Sequence, residues 1–194
     1  ITLFNEQSVY EPEQYCCIVP NIRMLDQGAD LWAREYETIL NEIIQSIQEQ
    51  TDLSIKIVVH DNSGDDLTLA QRLIEMRPNQ GLELVQENDP LKLKKLLGKS
   101  YFVIGSRFHA LASALSNGVP LLSLGWSHKY DMLLDDYDQS DFSFVAPKPE
   151  IRDRLLQLID TESNRQLRST IQSANMKIKA EHNQMWSLID ECIS

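Results

Sequence analysis

Two side chains able to carry positive charge, Arg107 and His109, stand one residue apart just after the apolar run Tyr101-Phe102-Val103-Ile104 and the pair Gly105-Ser106. A small-residue pattern from Ala110 to Ser116 then leads to Asn117-Gly118 and Pro120. This reads as a strand, a tight turn and a helix, with Ser106 as N-cap, Arg107 as the first helical residue and His109 as the third. The first N–H groups of a helix have no intrahelical partners and lie at the positive end of its dipole, so such a turn suits an anion. Charge-assisted hydrogen bonds from the two side chains would contribute about 1.5–3 kcal/mol each.

The other candidates also follow predicted strands. Arg23 comes after Tyr15 to Val19, His60 after Leu53 to Val59, and His128 with Lys129 after Pro120 to Leu124. Asp65 and Asp66 open a helix, where the dipole explains their charge. His182, on the last predicted helix, reads as structural or exposed. Cys16, Cys17 and Cys192 are odd in number and lack metal-ligand spacing, so they read as buried thiols of a reducing compartment, and no metal or cofactor is expected.

Charge narrows the partners. The net charge of −11 argues against nucleic acid. It is unevenly spread: between Pro90 and Tyr130 there are six basic residues (Lys92, Lys94, Lys95, Lys99, Arg107, Lys129) and no Asp or Glu. The four lysines from 92 to 99 read as a solvated helix face. No apolar run approaches the roughly 18 residues of a membrane span, and no signal peptide is read at the start. The expected location is the cytoplasm.

Strands that alternate with helices must position these residues. Residues 1–14, polar and with Pro12, read as a linker or edge segment. After the first strand, Asp30 is a suitable N-cap for a helix whose stripe is Trp32, Tyr36, Ile39, Leu40, Ile43, Ile44 and Ile47. A helix follows Asp65, a short strand spans 82–85, Asp89-Pro90 opens another helix, and a sixth strand is expected at 142–145. Helices at 149–159 and from 162 to about 193 complete the chain, the last with Ile171, Ile178, Met185, Trp186 and Ile189 at helical spacing. The pattern predicts an α/β, doubly wound, mainly parallel Rossmann-like sheet over 15–160 and a long C-terminal helix over 161–194. With strand order 3-2-1-4-5, ligands bind where the order reverses, between the first and fourth strands. Arg23, Arg107 and the loop Gly125 to Tyr130 would then meet around one crevice.

The stretch Val103 to Lys129, VIGSRFHALASALSNGVPLLSLGWSHK, resembles the signature of the polysaccharide pyruvyl transferase family, with its Ser-Arg-x-His-Ala turn, Gly-x-Pro and downstream Lys. The loops of His60, Asp65 and Asp66 and of Arg23 are also similar to that family. The resemblance spans roughly 15–145 and corresponds to the carboxyl-terminal half of such an enzyme. It implies one half of a GT-B-like two-domain transferase, with the N-terminal domain absent and the final helix crossing back towards it. The implied activity is transfer of pyruvate from phosphoenolpyruvate to two sugar hydroxyls as a ketal, in exopolysaccharide or cell-envelope biosynthesis. The acceptor is a saccharide, lipid-linked ones included. The resemblance assigns the donor to Arg107 and His109 as catalytic residues, with Ser106, Arg23, Lys129, His128 and His60 binding substrate. This half alone is not expected to complete the reaction. Two rival expectations are a GT-B glycosyltransferase or epimerase using a nucleotide-sugar, disfavoured by the acid-free window, and a non-catalytic binding domain, favoured if Arg107 is locked in an internal salt bridge.

Overall fold

A central strand read as YCCIV has no polar side chain to offer solvent, so both of its faces must be covered. In the computed structural model, which describes residues 12–26, 31–60, 65–77 and 81–193, with side chains through 188, it is strand β1 (Tyr15–Val19), buried along its whole length. Continuous apolar runs of this kind belong to parallel sheets covered by helices on both sides. β1 pairs in parallel with β2 (Ser54–Val59) on one side and β4 (Val103–Gly105) on the other. With β3 (Leu82–Gln86), β5 (Leu121–Leu124) and β6 (Ser143–Phe144), the six-stranded order is β3-β2-β1-β4-β5-β6. The expected reversal between the first and fourth strands is present, and every pairing is parallel.

The helices are α1 (Tyr36–Gln50), α2 (Asp65–Glu75), α3 (Pro90–Lys99), α4 (Phe108–Ser116), α5 (His128–Asp135), α6 (Glu150–Ile159) and α7 (Thr161–Ile193). α1 buries Tyr36, Leu40, Ile43, Ile44 and Ile47 on one stripe. α3 starts as its sequence dictates, with Asp89 accepting from the N–H groups of Leu91 and Lys92 and Pro90 in the first turn. In α4, Ala110 and Ala114 are fully buried and let the helix lie close to its neighbours. Gly118 ends that helix at a φ of 75°, a left-handed conformation that glycine adopts without cost.

Several boundaries differ from the expectations. α1 begins at Tyr36, and Trp32 lies in the turn before it, held because its indole N–H donates to the Gly125 carbonyl at 2.8 Å. Asp30, the expected N-cap, lies outside the described residues, as do 1–11 of the expected edge segment. α5 starts at His128, so the loop after β5 is shorter than the predicted Gly125 to Tyr130. The stripe expected along the last helix is buried only in its first half. Ile171 and Ala174 pack on the core, whereas Met185 and Trp186 are 45% and 51% exposed. Helical spacing identifies a face but not whether anything covers it.

Candidate functional site

Ser106 sits where the sheet order reverses, next to the end of β1. Its N–H still donates to the Val19 carbonyl at 3.1 Å, extending the strand register by one residue. The helix therefore starts later than its sequence suggests. Arg107 is the N-cap, with extended backbone and no side-chain capping bond, and His109 is the second helical residue rather than the third. The expected Ser106 cap is replaced by inward bonding: its hydroxyl lies 2.7 Å from the Tyr36 hydroxyl, and its carbonyl accepts from Asn21 Nδ2 at 3.0 Å and from the Tyr130 hydroxyl at 2.9 Å. Ser106 is fully buried. Burial pushes the Tyr36 phenol far up, and pushes the Tyr130 phenol up to about 12 against the opposing pull of Arg107, so both stay neutral.

Arg107 is engaged with a carboxylate that the sequence window did not contain. Its Nε donates to Asp66 Oδ2 at 2.7 Å and its Nη2 to Oδ1 at 2.6 Å. Asp66 is completely buried, and its Oδ1 also accepts from the Ile22 N–H at 3.0 Å. The helix-dipole explanation for Asp66 is thus replaced by a bidentate ion pair. The absence of acids between Pro90 and Tyr130 in sequence does not make the site acid-free, because α2 brings its own carboxylate to the turn.

His109 points the other way. It is exposed, and its ring lies parallel to that of His60, at 6.5 Å between centroids and 8° between planes. These two rings line a crevice of about 260 Å³ together with Glu87, Asn88, Lys94 and Ser113, floored by Pro90, Leu93 and Leu97. Desolvation lowers the pKa of Lys94 from its ordinary value. Lys94 was expected on a solvated face. No local pattern distinguishes it from Lys92 and Lys95, since which lysine faces a neighbour depends on where α3 lands.

The remaining candidates are less closely gathered. Lys129 is exposed, with its ammonium 5.3 Å from the centres of the Phe108 and Tyr130 rings and 5.7 Å from that of Trp126. Phe108 also meets His109 edge to face at 5.9 Å, so the lysine and the imidazole contact the same ring. His128 is the exposed first residue of α5. Arg23 lies beyond β1 as expected, but its guanidinium pairs with Asp26 at 3.2 Å, both half exposed. The residues sequence reasoning missed are Asp66, Tyr36, Tyr130 and Asn21, all of which hold the turn from beneath. Their signal was polarity at positions that the fold buries, visible only once the strand order is known.

Among the described residues no helix is long and apolar enough to cross a membrane. Comparison with curated proteins gives no match at a significant level. Among solved structures the fold is similar to that in the S. aureus MnaA-UDP co-structure, at 18% identity and a TM-score of 0.60, over 91% of this chain and 46% of that one. It is also similar to the GtfA/B complex (13%, TM-score 0.52, 93% of this chain and 37% of that one) and to TarM (13%, TM-score 0.51, 94% and 37%). The chain therefore spans less than half the length of each of these proteins, and the shared feature is a GT-B-type Rossmann-like architecture. The family model described as polysaccharide pyruvyl transferase matches residues 6–128. With its strand-turn-helix at the sheet reversal and a family match over more than half its length, the chain belongs to the polysaccharide pyruvyl transferase family.

Proposed function

We propose that this chain is the donor-binding half of a pyruvyl transferase that moves pyruvate from phosphoenolpyruvate to two hydroxyls of a saccharide. The observation that carries the reading is His109, exposed at the N-terminal turn of α4 where the sheet order reverses, beside the parallel ring of His60. Phosphoenolpyruvate is small and carries a phosphate and a carboxylate, which calls for N–H donors and cations rather than a base slot. The first-turn N–H groups of α4, His109, His60 and Lys129 supply them. Arg107 enters in a narrower role than direct donor contact, because Asp66 already engages its guanidinium.

The reaction adds a proton to the methylene carbon of the donor as one sugar hydroxyl attacks the adjacent carbon. Phosphate leaves as the bond between that carbon and the phosphate ester oxygen breaks, and the second hydroxyl closes the ketal, its proton departing with phosphate. Of the two hydroxyl protons, one is thus balanced on the new methyl group. His109 serves as the phosphate donor or as the acid for this step. The acceptor's side of the cleft belongs to the N-terminal half of the family's enzymes.

His109→Ala should lower pyruvyl transfer at least about 100-fold, the usual scale for losing a positioned acid or oxyanion donor, while leaving the melting temperature unchanged. Full activity would sink the assignment. Two observations favour other readings. The MnaA co-structure contains UDP, and Glu87 puts a carboxylate on the lining of the crevice with His60 and His109, which favours a nucleotide-sugar enzyme. The Arg107 ion pair was the condition for a non-catalytic domain. Titration with phosphoenolpyruvate and with UDP-sugars separates the first, and assay of transfer separates the second.

A further inference from the structure

Asp66 joins three segments at the carboxyl edge of the sheet. Through Oδ1 it holds the Ile22 N–H in the loop after β1, and through both oxygens it holds Arg107 in the turn after β4. Its own backbone belongs to the start of α2. His109 shares the turn of Arg107. The Asp66–Arg107 bond therefore ties the start of α2 and the loop after β1 to the turn carrying His109.

An ion pair is an uneconomical way to glue such loops if stability is all that is required. Removing a carboxylate from water carries a large desolvation penalty, and an apolar pair of similar volume often stabilises more. What a bidentate guanidinium-carboxylate pair supplies is a fixed distance and a fixed plane. Here the partner on one side is fully buried and the Arg107 side chain is only 20% exposed, so the pair is held rather than solvated.

We propose that Asp66 is a positioning residue for the donor site: acting through Arg107, it fixes the turn that carries His109 against the loop after β1 and the start of α2. This rests on the reading of His109 as a donor-site residue. Asp66 itself touches neither substrate nor reacting atoms.

The test is a double-mutant cycle in the complete enzyme. Asp66→Asn keeps an acceptor for the Ile22 N–H but faces Arg107 with an amide, and Arg107→Lys keeps the charge but loses the fork. Each single variant should lower kcat for pyruvyl transfer about 10- to 100-fold, the scale expected when reacting groups are displaced by about 1 Å, with the KM for phosphoenolpyruvate changed less than about threefold. The double variant should lose no more than the worse single one. Single variants with wild-type kcat, losses that multiply, or losses confined to KM would each overturn the proposal. If Asp66→Asn does not fold, Arg107→Lys and Arg107→Gln carry the same kcat and KM comparison. If the wild-type enzyme does not turn over phosphoenolpyruvate, the functional reading fails instead. Asp66 is then judged by the crystal structure of Asp66→Asn: a displaced 105–109 turn supports it and an unmoved one overturns it.

Discussion

Two guanidinium groups hold the two ends of β4, and they do so by opposite means. Arg107, past the carboxyl end, meets a carboxylate. Arg168, on α7, reaches the other end, where its Nη2 donates to the carbonyls of Ser100 and Tyr101 at 2.7 and 2.6 Å and its Nε donates to Asn164 Oδ1 at 3.0 Å. Its acceptors are neutral oxygens, so its charge is desolvated without being neutralised, and burial lowers its pKa to about 10. The contrast separates a clamp that satisfies orphan backbone acceptors from a bracket that orients side chains. Removing the first should cost stability; removing the second should cost geometry.

The largest effect is therefore expected at Arg168. Arg168→Met leaves the buried Ser100 carbonyl without this donor, at about 1–3 kcal/mol, and removes the bonds to the Tyr101 carbonyl, which keeps Asn164 Nδ2 at 3.2 Å, and to Asn164 Oδ1, at about 1 kcal/mol each. Urea unfolding should show a lowered midpoint, with transfer activity per folded molecule retained. A stable variant with depressed kcat would merge the two arginines into one class and break the contrast.

A smaller effect is expected where the bracket rests on the core. A Cβ at Gly125 would lie 2.5 Å from the Tyr130 ring, whose hydroxyl holds the Ser106 carbonyl. Gly125→Ala should destabilise by about 1–3 kcal/mol through overpacking and, unlike Arg168→Met, should also reduce activity, because Tyr130 must move. Thermal melts and assays on the same preparation check this.

The smallest effect is a pH dependence. Tyr36 and Tyr130 have folded-state pKa values raised above the ordinary tyrosine value of about 10. Their contribution to stability is complete below that value and is lost as pH rises through the folded value, about 12 for Tyr130. Arg168 carries the opposite sign, since its folded pKa is depressed. The unfolding midpoint should fall between pH 10 and pH 12 and fall less in Tyr130→Phe. Because Arg168 offsets part of this fall, the decisive comparison is between variants: identical pH profiles for the wild type and Tyr130→Phe would mean that the Tyr130 phenol is not held neutral.

The sheet was legible because its signals are local. YCCIV and SIKIVV read as buried strands, Asp89-Pro90 as a helix start and Asn117-Gly118 as a helix end, and right-handed crossovers then leave few topologies. The turn at 105–109 was legible as a strand-to-helix junction. Its chemistry was legible only in part. Asp66 is 41 residues from Arg107 in sequence, and a carboxylate in a first helical turn has a sufficient local explanation that hides a long-range one. The one-residue shift of the N-cap has the same origin: Ser106 is a good capping residue, but Tyr36, Tyr130 and Asn21 bond it inward. The stripe on α7 failed differently, since periodicity in Met185 and Trp186 is compatible with an uncovered face.

The adjacent cysteines of β1 have a practical use. Successive residues of a strand face opposite sides of the sheet, so Cys16 and Cys17, both fully buried, sit under different helical layers. Their thiols are shielded as long as those layers stay in place. Trapping each with an alkylating reagent and resolving the two sites by mass spectrometry would time the opening of each layer separately. Equal rates would mark a domain that opens as one unit, and unequal rates would reveal which layer peels away first.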